Sequence, residues 1–360
     1  MTRSLNKRCL ISRDSTVTKV GGEQDMYIIH RSLQVALRLK LDKSPEERDS
    51  VFNHALALLE RVSPIANRLQ IPDPAFWPQF QMTNPHVLSL CAAFNTANPP
   101  MEGSLRLATL LYNAGFHVFE TWNPNTRDGV SMLSTAEKIL DMIGYDEGRL
   151  RADISCMMSF LLDILGPSKW DESLARRREI LDIRKRVMTT EPLGDGDEGE
   201  VISVDPESEH LYYDAANDLG LSYLQCFEFE KAEELFVQCF NRYKQWGGVD
   251  DVPFEYGKYY HNISIVHAYQ GDYDSAINTA RKGSEIKLKT DGNSSRYLWF
   301  QYDVACVMLQ AGQLRNALDL HLEVLEGREK ICGTRTEVTL QSLYTVGAMY
   351  YHLGDYAEAE

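Results

Sequence analysis

No stretch of this 360-residue chain reaches 18 consecutive apolar residues, which argues against a membrane-spanning helix. The basic N-terminus, MTRSLNKRCLISRD, is followed by no apolar segment and does not read as a secretory leader. A GxxxxGKS/T loop is missing, so no backbone cradle for phosphates is assigned. Gly129-Val130-Ser131-Met132-Leu133 lacks the second glycine of a nucleophile elbow. There is no HExxH, and His261 and His267, six residues apart, fall on different helix faces. Asp195 and Asp197 start like a calcium loop, but the later acid and the central glycine are not in place. Seven scattered cysteines contain no CxxC pair, which fits reduced thiols in a cytosolic protein. Positive charge is scarce: 37 Lys plus Arg face 52 Asp plus Glu, a formal net charge of −15 that disfavours nucleic acid and anionic membrane. These absences predict no catalytic residue, no metal, no cofactor and a cytoplasmic location.

What the chain does contain is a pattern repeated four times in its C-terminal third. Gly220, Ser264, Ala305 and Gly347 each follow a large apolar residue on one helix, and Ala232, Ala276, Ala317 and Ala359 recur on the next. The alanines are spaced by 44, 41 and 42 residues, with a glycine turn before the last three (Gly271, Gly312, Gly354). Small residues let two backbones approach while aromatics fill the groove beside them. This order of large, small, turn, aromatic and alanine resembles the tetratricopeptide repeat. The resemblance implies a mostly α fold, a right-handed solenoid of helix pairs that binds other proteins. The period exceeds the usual ~34 residues by roughly eight, enough to lengthen each pair by about two turns. Such long repeats resemble those of kinesin light chain, although the heptad coiled coil of a cargo adaptor is absent. The second helix of the last repeat is barely begun at Glu360.

Upstream, residues 8–14 and 26–30 predict short strands, and Arg31 to Leu41 a helix with Leu33, Ala36, Leu37 and Leu41 on one side. His30, at the end of a strand, is read as structural. Ser44-Pro45-Glu46-Glu47 opens a second helix, and Pro85-His86-Val87 a third. Leu105 to Trp122 with Thr126 to Ile143, and Arg151 to Leu165 with Lys169 to Met188, predict two divergent helix pairs. Arg176, Arg177, Arg178, Arg184, Lys185 and Arg186 predict a solvated basic face, the alternative being a clasp on the acidic loop that follows. The expected organisation is a partial winged-helix module with connecting helices at 1–100, divergent pairs at 101–190, an acidic loop at 191–210 and four repeats at 211–360.

The first hundred residues carry a second resemblance. Leu10-Ile11-Ser12-Arg13-Asp14, then Ile29-His30-Arg31-Ser32-Leu33-Gln34-Val35, then Trp77 and the Pro85-His86-Val87 helix start, look like the end of the winged-helix module in fungal NB-ARC–TPR proteins. These are signal-transduction NTPases of the STAND class, in which a nucleotide-binding module switches and the repeats sense a partner. That module would precede Met1. The resemblance therefore implies a non-enzymatic sensor or regulatory portion, with oligomerisation only through the missing module. The alternative is a fragment of an NTP-dependent switch.

By the geometry of the tetratricopeptide family, certain first-helix positions face a groove. Carried over, they give candidate partner contacts at Asn217, Lys258, His261, Trp299, Tyr302, Tyr344 and Tyr351. Aromatics with amides and a few charges suit a protein or peptide ligand.

Overall fold

A computed structural model of the chain describes residues 11–17, 23–66, 77–120, 126–145, 148–190 and 205–360. It opens with an antiparallel hairpin of β1 (Ile11–Val17) and β2 (Glu23–Ile29), Ile11 opposite Ile29 and Val17 opposite Glu23. Both strands sit nearer the turn than predicted. The β-branched Thr16 and Val17 prolong the first, and pairing draws Glu23 to Asp25 into the second. The predicted strand residues 8–10 lie outside the described residues.

Helix α1 (Arg31–Leu41) starts at His30, whose Nδ1 accepts from the Ser32 amide at 3.2 Å, so this histidine serves as a cap. No residue of α1 is buried: Ala36 and Leu37 of its apolar side are exposed. Helix α2 (Pro45–Val62) buries Phe52 and Leu56. Helix α3 (Trp77–Thr96) runs straight through Pro85, which overturns the predicted start at that residue. Phe80, Thr83, Val87, Leu90, Cys91 and Phe94 form one continuous buried face, and the exposed proline ring lies on the other side. Burial of Phe80, stacked on His117 at 4.4 Å, outweighs the one backbone donor that proline lacks. The cores of α2 and α3 continue into α4 (Leu105–Glu120), α5 (Thr126–Met142), α6 (Arg149–Ile164) and α7 (Trp170–Thr190).

Helix α7 corrects the solvated basic face in part: Arg178, Lys185 and Arg186 are exposed as expected, whereas Arg176, Arg177 and Arg184 are not. Arg177 and Arg184 are among the most deeply buried large side chains in the molecule. The Arg177 guanidinium donates to Asp163 at 2.6 Å and Ser222 at 2.5 Å and lies over the Phe160 ring. Arg184 pairs with Asp153, and Arg176 with Glu137. Carboxylates on neighbouring helices, which periodicity within α7 cannot reveal, make this burial tolerable. Most of the acidic loop expected beyond α7, residues 191–204, lies outside the described residues.

The C-terminal part comprises four pairs: α8 (Pro206–Gln225) with α9 (Phe229–Trp246), α10 (Pro253–Tyr269) with α11 (Tyr273–Asp291), α12 (Ser295–Gln310) with α13 (Leu314–Cys332), and α14 (Glu337–Leu353) with the one-turn α15 (Tyr356–Ala359). Helices of 16–20 residues account for the long period. Each helix packs on the next in sequence, which gives a tetratricopeptide-like α-solenoid. Ala232, Ala276, Ala305 and Ala317 are sealed at the pair contacts, and the Phe236 ring occupies the space a Cβ at Gly220 would need. A close backbone approach was not foreseen: a Cβ on Gly283 would meet the His261 backbone nitrogen at 3.1 Å and the Gly257 carbonyl at 3.3 Å. At the turns Gly271, Gly312 and Gly354 adopt φ of 81°, 77° and 86°; in the first pair Phe227, at φ 60°, bears that conformation with a side chain. The core is a series of clusters, a large one from Phe52 to Ala215 and three smaller ones along the four pairs.

Candidate binding groove

The first helices of the four pairs, α8, α10, α12 and α14, carry all seven candidate contacts. Asn217, His261, Tyr302 and Tyr344 occupy one register position, and each is followed by a short polar residue: Asp218, Asn262, Asp303 and Thr345. The structure joins them into a ladder. The Asn262 Nδ2 donates to Asn217 Oδ1 at 2.8 Å. His261 Nε2 lies 3.4 Å from Asp303 Oδ2. The Tyr302 hydroxyl meets Thr345 Oγ1 at 2.9 Å. Thr345 spends its own hydrogen on the Gln341 carbonyl, so the phenol is the donor. Upstream, the Cys156 thiol reaches Asp218 Oδ2 at 3.6 Å. Each rung links the second residue of a couple to the first residue of the preceding couple, across one repeat.

The ladder sorts the candidates. Asn217 is buried, 1% exposed. Lys258 forms an ion pair with Asp214 and sits 4.7 Å from the Phe254 ring centre, which Lys287 also approaches, at 4.6 Å. Burial pulls the Lys258 ammonium down, but Asp214 and Asp218 outweigh it and the net shift is upward. His261 lies against Phe300 with ring centroids 4.3 Å apart and the planes tilted by 32°; burial, then Lys287, hold its pKa down at about 4. Across the rung, burial lifts Asp303 to about 7 against the opposing pull of Arg328 and of the Trp299 hydrogen bond. Tyr302 is half-buried, with the Arg328 guanidinium 4.5 Å above its ring and His321 edge-on at 4.9 Å. Burial pushes the neighbouring Cys306 thiol up to about 12, so it is no nucleophile at neutral pH.

Three candidates remain open to solvent: Trp299, Tyr344 and Tyr351, at 41%, 79% and 62% exposed. Tyr269, stacked on Phe229 at 4.4 Å, joins them as an exposed aromatic of the same helices. Among the described residues no group of three His, Cys, Asp or Glu side chains could hold a metal ion, and no helix is long and apolar enough to cross a membrane.

The tetratricopeptide repeat family profile matches residues 214–245, within α8 and α9. No curated protein matches the chain. A STAND protein with a tetratricopeptide repeat sensor from Pyrococcus horikoshii superposes with a TM-score of 0.52 at 15% identity, over 99% of this chain and 44% of that one. The apo quorum sensor NprR from B. thuringiensis gives a TM-score of 0.51 at 10% identity, over 91% of each chain. The kinesin light chain TPR-like repeats of Podosopora anserina give 0.39 at 14% identity, over 61% of this chain and 94% of that one. At such identities the likeness is one of architecture, and that architecture is the stacked helix pair of tetratricopeptide repeats.

Proposed function

We propose that the chain is a non-enzymatic protein-interaction scaffold that holds a peptide or protein segment along α8, α10, α12 and α14. One observation carries this reading: at the groove register some side chains are spent on inter-repeat bonds, whereas Trp299, Tyr344 and Tyr351 are left presenting aromatic surface to solvent. Exposed aromatics of this size are where binding energy concentrates in protein interfaces. Lys258, His261 and Tyr302 act as the floor that sets their spacing, and Asn217 lies beneath it. A cytoplasmic location suits the reduced cysteines.

The test is affinity capture from the source cell extract with the wild-type chain and with Trp299→Ala/Tyr351→Ala. Loss of a specific partner with an unchanged melting temperature supports the groove. Equal capture by both proteins refutes it.

A second reading is that these repeats are the sensor of a STAND-like switch whose nucleotide-binding module is not part of this sequence. The supporting observation is the superposition on the Pyrococcus STAND protein, which takes in 99% of this chain. On this reading nucleotide binding by the chain alone is undetectable by calorimetry, and partner capture alters nucleotide turnover only in a longer polypeptide. Micromolar ATP affinity of the chain itself would contradict it.

A further inference from the structure

The four turns between first and second helices share one backbone and differ in one residue. In the first, the Phe227 amide donates to the Leu224 carbonyl and the Glu228 amide to the Tyr223 carbonyl. Gly271 with Asp272, Gly312 with Gln313 and Gly354 with Asp355 make the same two bonds in the others. Such a turn demands the left-handed conformation, which glycine adopts without steric cost. Of the four, Phe227 alone meets the demand with a side chain, at φ 60°. Burial does not offset that strain, because the Phe227 ring is 65% exposed. It stands nearly perpendicular to Phe229 at 6.1 Å and to Tyr269 at 6.3 Å, beside the stack those two form. Charge along these turns is mostly of one sign: residues 227–233 and 269–274 hold Glu228, Glu230, Glu233, Asp272 and Asp274 against Lys231, itself paired with Glu228. Tyr223 of the same turn shows what such a ring accepts, since the Arg178 guanidinium and the Lys231 ammonium each lie 5.4 Å from its centre. Among the described residues no cation lies over Phe227, Phe229 or Tyr269.

We infer that Phe227, Phe229 and Tyr269 form a docking site for an arginine-bearing segment of a partner protein. The inference goes beyond the groove reading and places a second contact at the turn edge of the repeats. A large ring held exposed on a strained backbone belongs to a contact outside the fold. A guanidinium is planar and weakly hydrated, so it can lie on an aromatic face while its fork reaches a neighbouring carboxylate. Glu230 and Asp274, both exposed, directly follow Phe229 and Tyr273 in the chain and supply such carboxylates. The same acids repel phosphate-bearing surfaces. Charge complementarity therefore identifies the occupant, and the cations over Tyr223 give its pattern within the chain.

The probe is a fluorescein-labelled octapeptide of alternating leucine and arginine, titrated against the full chain by fluorescence anisotropy at physiological ionic strength. Saturable binding is expected, weakened about tenfold, or 1.4 kcal/mol, when glutamine replaces its arginines. Phe227→Gly in the chain should weaken it as much, while the melting temperature holds or rises because the turn gains the residue its backbone suits. Tyr269→Ser should also weaken it. A fall in melting temperature with Phe227→Gly would make the ring a structural part of the turn and overturn the site. So would absence of saturation, or equal affinity for the arginine and glutamine peptides. Equal affinity for the wild-type, Phe227→Gly and Tyr269→Ser chains would reduce the binding to diffuse attraction by an acidic protein and overturn it as well. Sedimentation of the chain alone provides the other arm: a dimer abolished by Phe227→Gly would make a second copy the occupant and overturn the partner assignment. Trp299→Ala/Tyr351→Ala should leave the peptide's affinity unchanged. If it weakens binding as much as Phe227→Gly does, the probe lies along the groove and the turn site is refuted while the scaffold reading stands.

Discussion

The phenol of Tyr302 donates to Thr345 Oγ1 at 2.9 Å and so ties α12 to α14, two helices that share no turn. Removing that hydroxyl with Tyr302→Phe leaves the ring under Arg328 and takes away only the rung. Urea denaturation should show a loss of about 1 kcal/mol. Thr345→Val should cost a similar amount, and the double variant little more than either single one. Strict additivity would mean that the two groups do not interact in solution.

His321 is fully buried and neither ring nitrogen has a hydrogen-bond partner. Burial, with Arg328 adding to it, lowers its pKa from 6.5 to about 4. The unfolded chain thus binds a proton that the folded chain refuses, and stability falls as the pH drops from about 6.5 towards 4. His117, buried on Phe80, and His261 are lowered to about 4 and act with the same sign. Asp303, raised from 3.8 to about 7, acts oppositely, because there the folded state holds the extra proton and gains stability as the pH falls through that window. His321→Leu should therefore raise the melting temperature at pH 7, by the equivalent of about 1 kcal/mol. It should also flatten the loss of stability between pH 6.5 and 4. A variant as acid-sensitive as the wild type would exclude His321 as the cause.

Gly220 and Gly283 should differ in their tolerance of a side chain. The obstacle at Gly220 is the Phe236 ring, which can shift; the obstacle at Gly283 is the backbone of His261 and Gly257. Gly220→Leu should cost ~1–3 kcal/mol by overpacking. Gly283→Leu should cost more, with loss of the α10–α11 crossing visible by far-UV circular dichroism. Equal costs would contradict the close backbone approach.

Arg184→Met should destabilise the chain by about 3–5 kcal/mol, since it strands the Asp153 carboxylate among apolar neighbours. Adding Asp153→Leu should recover most of that loss in the same denaturation assay. A double variant as weak as the single one would assign the effect to Arg184's alkyl packing.

The helix pairs are legible in the chain because alanine and glycine at fixed intervals have a steric purpose that periodicity exposes. Ala232, Ala276 and Ala317 are fully buried at the helix contacts. The rungs are not legible in that way. Asn217 with Asp218, or Tyr302 with Asp303, reads as polar residues on a solvent-facing helix, and its partner is found only one repeat away. The available signal was the recurrence of a polar couple at the repeat spacing. Arg177 and Arg184 misled for a related reason: a charge is assigned to solvent unless its carboxylate lies nearby in sequence, and Asp163 and Asp153 sit on another helix. Pro85 misled because the burial of Phe80 and Thr83 before it outweighs one missing amide.

The partition of the apolar interior into one large cluster and three small ones has a kinetic consequence. A solenoid without a shared centre opens from its weaker end, module by module. Amide deuterium uptake should therefore be slowest in α4 to α6 and rise in steps towards α14, and mechanical pulling from Glu360 should produce a staircase of small ruptures before the N-terminal block yields.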